Sequence, residues 1–185
     1  MPGPVFLRGE DVTLRPIERD DLEFIQRVMN DPTVWRPALD IDPTNDAQIE
    51  EFYDNVLSGT DGVHCLVCAD EEPVGVVSLT ESQYGPDETS RARSIELAYW
   101  LAPEHHGLGY GSDAARQMVQ YAFEDRNLRR VYAQIGSFNG ASAALLESLG
   151  FQHEGTLRQA AWYRGEYHDV LCYGLLRDEW QQRQG

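Results

Sequence analysis

Apolar positions along the chain fall into short alternating runs and helically spaced sets. Val12-Thr13-Leu14-Arg15 alternates as a strand, halted by Pro16, which has no N–H for a sheet ladder. Asp20 stands as the N-cap of a helix that gathers Leu22, Ile25 and Met29 on one face, with Pro32 ending it. Asp42-Pro43-Thr44 opens a second helix around Ile49, Phe52, Tyr53 and Val56, closing near Gly59. Strands follow at Val63–Ala69 and Val74–Leu79, joined by the acidic turn Asp70-Glu71-Glu72-Pro73. The polar segment from Tyr84 to Arg93, with Gly85 and Pro86, reads as a mobile loop.

The second half is more regular. Ser94–Leu101 alternates as a strand, with Ile95, Leu97, Tyr99 and Leu101 on one face and Glu96, Ala98 and Trp100 on the other. A long helix from about Tyr110 to Arg126 brings Ala114, Ala115, Met118, Val119, Ala122 and Phe123 onto one side. Val131–Ile135 is a strand and Ala141–Leu149 a short helix stopped by Gly150. Strands at Glu154–Trp162 and His168–Leu176 end the pattern, with Arg164-Gly165-Glu166 as their hairpin turn. No linker or repeat divides the 185 residues, so residues 1–185 are expected to form a single mixed α/β domain.

Charge narrows the partners. The chain has 31 acidic and 15 basic residues, a net charge of −16, and every base is Arg. That balance argues against nucleic acid and against anionic membrane surfaces. Acidity without lysine fits a halophilic-type protein in a salty cytoplasm, where the Debye length falls to about 3 Å at 1 M salt. Ordinary acidity is the alternative. With neither a signal-peptide pattern nor an apolar run long enough to span a membrane, a cytoplasmic location is expected. Cys65 and Cys68 form a C-x-x-C pair, but residues three apart on a strand face opposite sides and cannot share a metal; no metal is expected.

The chemistry concentrates in SIELAYWLAPEHHGLGYGSDA, a strand running through a glycine-rich turn into a helix. Gly107, Gly109 and Gly111 let the backbone approach a ligand, and the amides from Leu108 through Tyr110 to Ser112 would converge at the positive end of the helix dipole. Such a turn suits a pyrophosphate. A dinucleotide fold would require an acid at the end of the next strand, which reads Ile135-Gly136-Ser137-Phe138. A Walker loop would require a lysine. A turn that binds nothing is the remaining alternative.

The stretch from His106 to Gly111 resembles motif A of the GNAT superfamily of acyl-CoA N-acyltransferases, Q/R-x-x-G-x-G/A, with His106 at its first position. VTLRPIERDDLEFI, PVGVVSL, SFNGASAALLESLGF and EGTLRQAAWYRGEYHDVLCYGLL extend the resemblance to the ribosomal-protein N-terminal acetyltransferase branch, the RimJ/RimL type, over roughly Leu7 to Trp180. It implies a central, mostly antiparallel sheet of about seven strands with about four helices, in which Ser94–Leu101 and Val131–Ile135 splay apart. It also implies acetyl-CoA as co-substrate, its pantetheine arm pairing with backbone near Tyr99, Trp100 and Leu101. The amine acceptor then attacks directly.

One proton must leave the amine and one must reach the departing thiolate. Glu96 is the candidate base; an exposed strand acid is the alternative. Asn139-x-x-Ser142 matches the spacing at which this branch places a Ser beside the cofactor sulfur, with Asn139 as a cofactor contact or merely a helix N-cap. Tyr132 is a weaker acid candidate, and the His168-Asp169 neighbours point to opposite faces. Trp35, Tyr84, Trp162 and Tyr163 frame the acceptor pocket, unless they are core aromatics. A peptide α-amine, with a pKa of about 7.7–8.0, is a far larger neutral fraction at pH 7 than a lysine amine near 10.4. The expected acceptor is therefore a protein or peptide N-terminus, ribosomal proteins included, with a small-molecule amine as the alternative. A catalytically silent acyl-CoA-binding module is the rival class, and monomer and homodimer are both compatible.

Overall fold

The two faces of Ser94–Leu101 enter two separate cores, and the molecule is arranged around that strand. Ile95, Leu97, Tyr99 and Leu101 join one core, while Trp100 packs into the others. The computed structural model describes residues 2–38, 42–81 and 93–184. The segment expected to be a mobile loop lies outside the described residues except for Arg93.

The strands are β1 (Leu7–Arg8), β2 (Thr13–Pro16), β3 (Gly62–Ala69), β4 (Glu72–Glu81), β5 (Ser94–Leu101), β6 (Arg130–Gly136), β7 (Gln152–Tyr163) and β8 (Glu166–Leu176). They form one sheet ordered β1-β2-β3-β4-β5-β6-β8-β7, antiparallel except where β5 meets β6. The α-helices are α1 (Leu22–Met29), α2 (Pro32–Ala38), α3 (Asp46–Phe52), α4 (Tyr110–Glu124), α5 (Gly140–Leu149) and α6 (Arg177–Gln184). Apolar residues of α4, α5 and α6 cover one sheet face, and those of α1, α2 and α3 the other. The expected mixed α/β architecture is present, with eight strands and six α-helices among the described residues rather than about seven and four.

The differences in count have local causes. β1 is only two residues long, too short to show a period. Pro32 does not simply end a helix; it also begins α2, because its fixed φ and missing N–H suit a first helical position. Asp31 caps that helix, its Oδ1 accepting from the Thr33 N–H at 2.7 Å. The cap expected at Asp20 is instead a reciprocal pair of Glu18 and Asp21 around a single 3-10 turn. Asn45, paired with Gln48, replaces the Asp42 segment as the start of α3. In α6 the polar sequence hides one anchor, Trp180, whose ring lies 5.5 Å from that of Phe123.

Cys65 and Cys68 enter different cores on opposite sheet faces, and burial pushes their thiols up to about 12 and about 11. Among the described residues no group of three or more His, Cys, Asp or Glu is placed to hold a metal, and no helix is long and apolar enough to cross a membrane. The start of α4 is tethered by Asp113, whose buried Oδ2 accepts from the Asp11 and Val12 N–H groups at 2.9 and 3.1 Å. The turn between β1 and β2, at the edge of the sheet, thus holds the helix terminus that the glycine turn feeds.

Candidate active site

β5 ends in a turn with an unusual surplus of donors. The Ala102 N–H returns to the Val74 carbonyl at 2.9 Å, and residues Pro103–His105 make a single 3-10 turn. His106 Nε2 lies 3.0 Å from the Leu101 carbonyl; since a carbonyl only accepts, Nε2 carries the proton. Gly107 and Gly109 have φ of 75° and 87°, the left-handed region that disfavours any side chain. A Cβ at either would meet nothing within 4 Å, so the space beside them opens outward. Gly111 is instead buried, facing Leu101 and Leu145.

Gly109 is the N-cap of α4, and the Asp113 N–H is the first to close a helical bond, onto the Gly109 carbonyl at 3.0 Å. Backbone N–H groups from Gly107 through Leu108, Tyr110 and Ser112 have no partner among the described residues. Leu108 sits exposed at the tip of this turn. Unsatisfied amides at the positive end of a 15-residue helix dipole form an anion cradle. These residues fit the diphosphate of acetyl-CoA.

β5 and β6 part company beside this cradle. Their parallel pairing covers only Ser94↔Arg130, Ile95↔Val131 and Glu96↔Tyr132, although β5 runs on to Leu101 and β6 to Gly136. Beyond Glu96 and Tyr132 a slot opens through the sheet. The Ala102–Val74 bond fixes which backbone groups face it. With the two-residue period, the Trp100 N–H and C=O point to β4, whereas those of Tyr99 and the Leu101 N–H point into the gap. Of the three residues expected near pantetheine, Tyr99 and Leu101 thus turn backbone groups into the gap, while Trp100 places an indole 6.4 Å from the Phe24 ring of α1.

Side chains gather at both openings of the slot. On the α1–α3 face the Tyr132 hydroxyl donates to Glu96 Oε2 at 3.4 Å. Burial pushes the Glu96 carboxyl above its ordinary pKa, opposed by this bond. The Arg130 guanidinium lies 5.0 Å over the Tyr132 ring and pairs with Glu154. On the α4–α5 face the buried Tyr99 hydroxyl makes no hydrogen bond within normal geometry. Burial raises its pKa, and the neighbouring Ser142 side chain works in the opposite sense. Asn139 caps α5, its Oδ1 accepting from the Ser142 N–H at 3.2 Å, which leaves the Asn139 amide NH₂ and the half-buried Ser142 side chain near the gap.

Three of the four aromatics expected around the acceptor meet. Trp35, Trp162 and Tyr163 line a cleft of about 430 Å³ together with Arg36, Arg164 and Gly165; Tyr84 lies outside the described residues. One wall hangs from the end of β5, where Val34 of α2 packs with Ala102 and Trp100. The other hangs from the end of β6, where Phe138 stacks on Tyr163 at 3.9 Å. The cleft thus spans the diverging ends of the two strands. A larger hollow of about 540 Å³ lies between α4 and α6, lined by Gln120, Phe123 and Trp180, remote from the slot. Asp169 turns away from His168 to accept the Gln159 N–H at 2.8 Å, and His168 packs edge-on to Phe138. Arg36 and Arg164 were invisible as site residues because only the tertiary fold joins α2 to the β7–β8 turn.

Comparison with known proteins places this geometry. Residues 11–152 match the acetyltransferase (GNAT) domain family. The chain is 33% identical over 182 residues to the putative ribosomal N-acetyltransferase YdaF of Bacillus subtilis, covering 94% of this chain and 95% of that protein. It is 30% identical over 180 residues to the uncharacterized N-acetyltransferase p20 of Bacillus licheniformis, covering 94% and 97%. The crystal structure of spermidine N-acetyltransferase from Vibrio cholerae in complex with CoA and spermine superposes with a TM-score of 0.82 at 26% identity, covering 92% of this chain and 98% of that one. The glycine cradle, the split sheet and these matches agree: the chain belongs to the GNAT acetyltransferase family and is an acetyl-CoA-dependent N-acetyltransferase.

Proposed function

We propose that this enzyme, acting as a single domain, acetylates the N-terminal α-amine of a peptide or protein. The observation that carries the reading is the lining of the acceptor cleft: three aromatic rings, two arginines, one glycine and no carboxylate among the described residues. A polycation would meet Arg36 and Arg164 at the mouth, with no acid among the described lining residues to hold it. A peptide N-terminus brings one positive charge, which goes to Glu96, and a chain that lies along aromatic surface. Its α-amine, with a pKa of about 7.7–8.0, needs only modest help to lose a proton.

Acetyl-CoA, when bound, supplies an activated acetyl group. The amides of Gly107–Ser112 hold its diphosphate, with His106 securing the strand end beside them. Tyr99 N–H and C=O and Leu101 N–H pair with the pantetheine arm, and an N–H aimed into the gap polarises the thioester carbonyl. Glu96 receives the amine proton on the α1–α3 side, its raised pKa making it a better base than an exposed glutamate. On the other side Ser142, beside the Tyr99 hydroxyl, handles the proton for the leaving thiolate, and the Asn139 amide contacts the cofactor.

Acetylation of a small amine is the second reading, favoured by the spermine-bound structure of the Vibrio cholerae relative. Thiol release measured with acetyl-CoA against peptide N-termini, spermidine and amino sugars separates the two. Peptides should show the highest kcat/KM. A preference for spermidine over every peptide would overturn the proposal.

A further inference from the structure

We infer that Arg36 and Arg164 form an anion clamp at the mouth of the acceptor cleft, selecting acceptors that carry a carboxylate a short distance from the amine. The inference rests on the peptide reading and deepens it. Each guanidinium lies over an aromatic ring of the same cleft: Arg36 Cζ is 5.0 Å from the centre of the Trp35 ring and Arg164 Cζ 5.4 Å from that of Tyr163. A guanidinium over a ring face can still offer its planar fork of N–H groups to a carboxylate through two parallel bonds. Stacking also removes much of the rotamer freedom that makes exposed ion pairs weak.

Two further observations bear on these arginines. The chain has 31 acids for 15 arginines, and Arg15, Arg19, Arg27, Arg116, Arg129 and Arg130 are each paired with a carboxylate. Arg36 and Arg164 are among the eight described arginines without a carboxylate ion pair, and they are the two that line this cleft. In a molecule this acidic, two guanidinium groups that line one cleft with no carboxylate paired to them among the described residues give it a local positive character. The backbone also bears a cost to place one of them. Arg164 and Gly165 form the two-residue turn between β7 and β8 with φ of 50° and 89°. Asn or Asp is favoured at the first of these positions, and an arginine there is strained. The overall charge favours basic acceptors at long range, whereas the clamp acts on contact and reads an acid beyond the amine.

The test uses a neutral, C-terminally amidated peptide Ser-Ala-Ala-Ala-Tyr and versions with Asp at the second, third or fourth position. The full-length enzyme should acetylate the best acidic peptide with about tenfold higher kcat/KM than the neutral one, the low end for hydrogen bonds to a charged group under solvent screening. In Arg36→Gln/Arg164→Asn that ratio should collapse towards one, with the loss in the acceptor's KM. Arg164→Asn suits the turn better than arginine, so its thermal midpoint should not fall, which separates lost recognition from lost folding. A ratio near one in the unaltered enzyme, an unchanged ratio in the double variant, or a loss confined to the KM of acetyl-CoA overturns the clamp alone. Acetylation of spermidine with no peptide acetylated overturns the peptide reading and the clamp with it.

Discussion

The Tyr132 hydroxyl meets Glu96 Oε2 at 3.4 Å on the last rung where β5 and β6 still pair. This places a carboxylate at the vertex of the slot, half out of water and with a donor that favours its ionised form.

A pH dependence follows from that pair. Glu96 must be ionised to take a proton, so kcat/KM should rise with pH through a pKa above that of an ordinary glutamate. Glu96→Gln should lower kcat/KM by about 10²-fold or more and remove this limb. Tyr132→Phe removes the bond that lowers the pKa, so the limb should move to higher pH. The stability effect has the opposite sense: a carboxyl whose folded pKa is raised favours the folded state at low pH and opposes it as pH climbs through that value. Glu96→Gln should therefore leave the neutral-pH melting temperature level or higher, as calorimetry would measure.

Gly109 separates backbone strain from ligand binding. At φ of 87° with open space around it, Gly109→Ala should cost about 1–2 kcal/mol from conformation alone, measured by denaturant unfolding. Gly109→Glu adds bulk and negative charge where the free amides converge. Titration calorimetry with coenzyme A should then detect no binding.

The Asn139–Ser142 pair offers a contrast of roles. Asn139→Ala deletes a helix cap and should destabilise by about 1 kcal/mol. Ser142 takes part in that cap only through its backbone N–H, so Ser142→Ala should leave the melting temperature unchanged while turnover falls about tenfold or more. Unchanged turnover in Ser142→Ala would remove the serine from the proton path.

Net charge of −16 without lysine sets a salt response. Self-repulsion should be relieved as the screening length shrinks, so the thermal midpoint should climb steeply between low and molar salt. A flat profile would mean that the acidity is ordinary.

The glycine turn was legible in the sequence because its signal is local: three glycines between an alternating strand and a helical repeat. The faces of β5 were legible for the same reason, and Cys65 and Cys68 were separable by parity alone. The direction of backbone groups along β5 was not, since it depends on which rungs β4 bonds, and the sequence alone does not say whether Trp100 or its neighbours Tyr99 and Leu101 face the gap. Pro32 carried two meanings, stop and start, and only Asp31 as a cap decides between them. The cleft of Arg36 and Arg164 is a meeting of segments 128 positions apart, which no window of sequence reports. The bend that swings Arg164 there is equally hidden: β7 advances from Leu157 to Ala161 while β8 advances only from Val170 to His168, with Gln159 at φ of 52°.

Because successive side chains of β5 alternate, Glu96 and Tyr99 look out of opposite sides of one slot. Under the proposed roles of Glu96 and the glycine turn, the donor and the recipient of the acetyl group have separate doorways. Mutational drift around the recipient's doorway, in α1, α2 and the β7–β8 tip, can retune selectivity while the nucleotide's own doorway stays intact. A scaffold split this way is suited to diversification, one half held constant and the other free to explore.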